Sequence, residues 1–148
     1  DTFIFCLGEI DCRCHIHKHI TPDNTYQMII DEIINNYIEA IQINVTVSNV
    51  KLKNVCIYNV PPPIRKNSIT VEPDNLFPLL GTDEERKQYI LRFNKILQQK
   101  CNENNFIYFD VYNQYVCDDG FLRKELSDGG VHIKNGVYIQ KFIDDNLL

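Results

Sequence analysis

Three short apolar runs alternate with two long stretches in which apolar residues recur every three or four positions. The first run, Thr2-Phe3-Ile4-Phe5-Cys6-Leu7, stops at Gly8. Tyr26, Ile29, Ile30, Ile33, Ile34, Tyr37, Ile38 and Ile41 then mark one face of a helix, and Thr21 followed by Pro22 suits its start. The second run, Val55 to Val60, ends at Pro61-Pro62-Pro63, which lack the donor a strand ladder needs. A polar, proline-bearing loop reaches about Gly81. Thr82-Asp83-Glu84-Glu85 reads as a capping box opening a second helix, with Tyr89, Ile90, Phe93, Ile96 and Leu97 as its apolar stripe. The third run is Phe106 to Tyr112, and a last helix is predicted over 137–146.

Strands without polar alternation, separated by helices, imply a parallel sheet covered on both faces. The predicted fold is therefore a three-layer α/β/α sandwich. Three strands are few for that architecture, which typically has about five or six. Further strands upstream are expected, all the more because the chain opens at Asp1 already entering an apolar run.

The 148 residues suit a single α/β domain spanning 1–148, or the carboxyl-terminal portion of one. A net charge of -5 with scattered positive residues disfavours a phosphate-backbone partner, so no nucleic acid is expected. No apolar run approaches the roughly 20 residues of a membrane span, and a soluble protein without a membrane partner is expected. Of the six cysteines, Cys6, Cys56, Cys101 and Cys117 lie in or beside apolar segments and read as small hydrophobes. A reducing, cytoplasmic compartment follows as an expectation. Asn44-Val45-Thr46 matches a glycosylation acceptor by chance.

In open α/β sheets ligands sit beyond the carboxyl ends of the strands. That directs attention to Gly8-Glu9-Ile10-Asp11-Cys12-Arg13, to Asn59 through Pro63, and to Ser127-Asp128-Gly129-Gly130-Val131-His132. Taken in order, these segments resemble the SGNH, or GDSL-like, hydrolases. Gly8-Glu9-Ile10-Asp11 is similar to that family's Gly-x-Asn-Asp block. The strand ending in three prolines, the helix through Arg92-Phe93-Asn94 and the strand through Phe109-Asp110-Val111 follow in family order, and Asp128 to His132 resembles its late Asp-x-x-His block.

The resemblance implies a flavodoxin-like sandwich, possession of a Ser-His-Asp triad, and an ester substrate, carbohydrate-linked esters among them, with no cofactor. His132 would be the base and Asp128 its orienting acid. Gly8, Glu9, Asp11 and Arg13 would contact substrate or oxyanion. The chain departs from the pattern in three ways. Ser48, Ser68 and Ser127 are its only serines and none lies in a strand-to-helix elbow; Ile10 replaces the oxyanion-binding Asn; and Asp128 and His132 stand four apart instead of three. The nucleophile is thus expected upstream of residue 1.

Structural roles compete with these. Glu9 and Asp11 could form a buried pair with Arg13 that holds the loops, and the scaffold could serve as a non-catalytic binding module. Cys12-Arg13-Cys14-His15-Ile16-His17-Lys18-His19 is dense in zinc-ligand atoms, and in an extended segment His15, His17 and His19 would share one face. Without metal it would be a solvated loop. Oligomeric state has no readable signature.

Overall fold

The computed structural model describes residues 1–48 and 50–148. Its centre is a parallel sheet of β1 (Thr2–Cys6), β2 (Asn54–Tyr58) and β3 (Ile107–Phe109), in the order β1-β2-β3. Thr2 is opposite Asn54, and Cys56 opposite Ile107. A π-helical turn, Asp11–His15, runs directly into α1 (Ile16–His19). The crossover helices are α2 (Tyr26–Val47) and α3 (Asp83–Glu103); α4 (Tyr112–Tyr115) and α5 (Val137–Asn146) follow β3.

Alternation along β2 divides the core. Ile57 joins Ile30, Ile34, Phe93 and Leu97 under α2 and α3, whereas Cys56 packs with Phe109, Val111 and Tyr115 beneath α5. Successive strand residues point to opposite faces, so one strand feeds two cores. Each fully buried Ile contributes roughly 1.5–3 kcal/mol relative to exposure. The structure is the α/β sandwich the sequence predicts. Both crossovers lie on one face, as two parallel connections advancing the same way across a sheet require, and the Asp31–Arg92 pair, 2.8 Å apart, ties α2 to α3.

The element ends differ from the predictions for local reasons. Thr21 does not start α2: it closes a turn with Asn24 through bonds of 3.1 and 3.2 Å. Pro22 and Asp23 are the corner of that turn, and Thr25 caps the helix by accepting from the Met28 amide. The Thr82–Glu85 capping box forms as predicted.

β2 and β3 are shorter than their apolar runs because side chains take over the ladder. Asn94 meets the Val60 backbone on both sides, accepting from its N–H and donating to its carbonyl, each at 2.8 Å. Asn59 accepts from the Val111 amide at 2.9 Å. Asp110 then accepts from the Tyr112 amide, turning the chain into α4.

β1 is not covered on both faces as predicted. Among the described residues it pairs only with β2, and Phe3, Ile4 and Leu7 are exposed. Cys6 and Cys117 are likewise exposed instead of sitting in the core; Cys12, Cys14, Cys56 and Cys101 are buried, and all six are unpaired. Asn44 lies inside α2, its amide donating to the Ala40 carbonyl. No helix among the described residues is long and apolar enough to cross a membrane.

Candidate functional site

A cavity of about 540 Å³ opens beyond the carboxyl ends of β1 and β2, where a parallel sheet exposes its loops. Leu7, Ile10, Phe77, Val131, Ile133 and Ile139 are among its apolar lining, and Glu9, Asp11, His15 and His132 are its carboxylates and imidazoles.

His132 owes its position to a pinched loop. Ser127 bridges to Ile133 in antiparallel fashion, and the Asp128 amide donates to the His132 carbonyl at 3.1 Å. Between them Gly129 takes a φ of +89°, a conformation that accommodates the residue extra to the expected spacing. Asp128 and His132 therefore meet despite standing four apart: Nδ1 lies 3.2 Å from Oδ2.

The amides of Thr70 and Val71 donate to the Gly129 carbonyl at 2.7 and 3.0 Å, anchoring this loop to the segment after the prolines. Burial alone would raise the Asp128 pKa, but bonds from the Gly130 amide and from His132 outweigh it and hold the carboxyl below its ordinary value. His132 itself is 72% exposed at its side chain, open to whatever occupies the cavity.

Gly8 is the hinge between β1 and the π-helical turn. It is buried with φ +102°, and a Cβ there would stand 2.7 Å from the Phe93 ring and 2.8 Å from Val60. Only glycine fits without displacing that packing. Its carbonyl accepts from the Cys12 amide at 2.9 Å.

Arg13 is almost fully buried. Its guanidinium grips both Glu9 oxygens, at 2.7 and 3.0 Å, and donates to the Phe77 carbonyl. Its own carbonyl accepts from the Leu80 amide at 3.0 Å. These bonds make Glu9 and Arg13 a clamp that holds the 77–80 loop over the cavity. Asp11 does not join them, because its position on the π-helical turn faces His15: Oδ1 lies 2.9 Å from Nδ1.

That pairing is what sequence reasoning missed. Asp11 and His15 are four apart, a helical signal, but the segment reads as extended while its cysteines and histidines are considered as ligands. In the helical conformation His15, His17 and His19 no longer share a face. Cys12 and Cys14 are buried, so the segment is no solvated loop either. Among the described residues no three His, Cys, Asp or Glu side chains converge as a metal site would require.

Cys6 also lines the cavity, and although the residue is exposed, partial desolvation of its thiol pushes the pKa up, away from the thiolate a nucleophile needs. Burial likewise raises the Tyr58 hydroxyl, which reaches no hydrogen-bond partner. Among the described residues no serine or threonine lines this cavity.

No protein-family model matches the chain, and neither does any curated protein. Among solved structures it is similar to a protein provisionally described as a platelet activating factor from Streptococcus pneumonia, at 18% identity and a TM-score of 0.70. The match covers all of this chain and 60% of that one, so the chain spans less than two thirds of its structural neighbour. At that identity the likeness establishes a shared backbone architecture, and the chain has the α/β sandwich fold of that neighbour.

Proposed function

We propose that the chain is the acid–base portion of an SGNH-like esterase or acyl-transfer domain acting on an ester, carbohydrate-linked esters among the candidates. The observation that carries this reading is the Asp128–His132 pair at the mouth of an apolar cavity beyond the strand ends. A carboxylate only accepts, so Nδ1 carries the proton and Nε2 is left to take one from an attacking hydroxyl. His132 would then return that proton to the leaving alcohol. The side chain of Ile10 donates nothing, so the developing oxyanion would fall to backbone N–H groups, Gly8 first.

The hydroxyl itself would come from a serine outside these 148 residues. Two observations support that assignment: the apolar edge of β1, unpaired among the described residues, is the edge a further parallel strand would cover, and the structural neighbour is longer.

The test is hydrolysis of p-nitrophenyl acetate by the complete protein. His132→Ala is expected to lower kcat/KM by at least about a thousandfold; a change under about threefold overturns the triad. Because no serine or threonine among the described residues lines the cavity, a non-catalytic binding module is the second reading. It requires that the complete protein hydrolyse no ester at all.

A further inference from the structure

The cavity contains a second histidine–carboxylate pair. His15 Nδ1 lies 2.9 Å from Asp11 Oδ1, closer than the corresponding atoms of His132 and Asp128, and Asp11 and His15 both line the space that His132 faces. We propose that Asp11 and His15 form a recognition site for a hydroxyl group on the substrate, so that the cavity selects polyol esters over esters of simple alcohols. The proposal rests on the ester reading of the site.

The direction of the hydrogen bond follows from chemistry. Asp11 as a carboxylate can only accept, which places a proton on His15 Nδ1, and when the ring is neutral Nε2 is an acceptor. An acceptor in a largely apolar cavity favours a ligand that brings a donor, and a hydroxyl is the donor a sugar or glycerol ester brings.

The mounting is rigid where it needs to be. Cys12, Arg13, Cys14 and Ile16 are buried beneath the pair, and Arg13 is pinned by Glu9 and the Phe77 carbonyl. The His15 ring meets the Phe77 ring edge-on at 5.8 Å, which limits its rotation. Its side chain nevertheless remains 39% exposed, open to a ligand. A π-helical turn is a rare conformation that recurs at functional sites, and here it places Asp11 and His15 one above the other on the cavity wall.

His15 would be a positioning residue, separate from the proton transfers of His132. Its loss should remove selectivity without removing the cavity. The experiment is an NMR titration of the isotope-labelled complete protein, recorded before appreciable turnover, with glycerol monoacetate and with the same ester methylated on both free hydroxyls.

The wild type is expected to bind the diol roughly threefold to tenfold more tightly, the range of one hydrogen bond. His15→Phe is expected to equalise the two, His15→Gln to keep a preference because its amide oxygen accepts, and Asn113→Ala, exposed and outside the cavity lining, to leave the preference intact. An acetylated methyl glucoside beside its methylated counterpart distinguishes a sugar from a glycerol source. Equal wild-type affinities, or a preference that survives His15→Phe, overturn the proposal while leaving the ester reading standing. Failure to bind any of these esters overturns both, and a His15-dependent preference in a complete protein that hydrolyses nothing overturns only the esterase assignment.

Discussion

Replacing Asn94 with alanine removes the group that ends β2, and its cost can be worked from the structure. The Val60 N–H has Asn94 Oδ1 as its side-chain acceptor at 2.8 Å in a site only 1% exposed. Leaving a buried donor unsatisfied costs about 1–3 kcal/mol. The Val60 carbonyl is better protected, because Asn59 Nδ2 still donates to it at 2.9 Å; losing its second donor adds about 0.5–1 kcal/mol, the low end for one hydrogen bond.

The sum is about 1.5–4 kcal/mol, or roughly 3–16 °C in Tm for a chain of this length. Urea unfolding followed by far-UV circular dichroism measures it, with an unchanged m-value showing that stability alone has shifted. Asn113→Ala on the exposed α4 surface is the control. A loss below about 0.5 kcal/mol, the scatter of surface substitutions, would refute the reasoning, because Val60 would then have an alternative partner. Asn59 and Pro61 line the cavity, so the same variant should also move cavity resonances in an NMR spectrum.

Gly8→Ala should lower the urea midpoint by the equivalent of at least about 1–3 kcal/mol, since it combines a positive φ with a clash against Phe93; an unchanged midpoint contradicts the hinge geometry. Iodoacetamide applied to the folded chain should modify Cys6 and Cys117 and spare Cys12, Cys14, Cys56 and Cys101, as peptide masses would record. Modification of Cys12 before unfolding would show that the π-helical turn opens. The lowered Asp128 pKa gives a pH dependence of definite sign. Its stabilising bonds are complete above the unfolded value of about 3.9 and are lost as pH falls through the lower folded value. The Gly130 amide resonance should therefore shift below about pH 3.9, and a midpoint above that would mean the carboxyl is not held as described.

Much of the fold was legible because its signals are local. The stripe from Tyr26 to Ile41, the Thr82–Glu85 box and the prolines after Val60 each act through neighbours in sequence, and each marks an element of the structure. Composition could place Asp128 and His132 in one loop, and the order of motifs could suggest their chemistry. Their contact depends on a glycine turn whose conformation is selected by the 70–71 segment from across the molecule.

The remaining features were settled by tertiary contacts. Cysteines in apolar runs look alike in sequence, yet Cys56 is buried on the central strand while Cys6 lies at the end of an edge strand. The Cys12–His19 segment carries no strong helical period, and it coils because Gly8 turns it beneath Phe93 and the 77–80 loop covers Arg13. That placement converts candidate metal ligands into core residues and pairs Asp11 with His15. Short-range patterning selects which segments become helix or strand, whereas burial and side-chain partners are properties of packing between segments far apart in the chain.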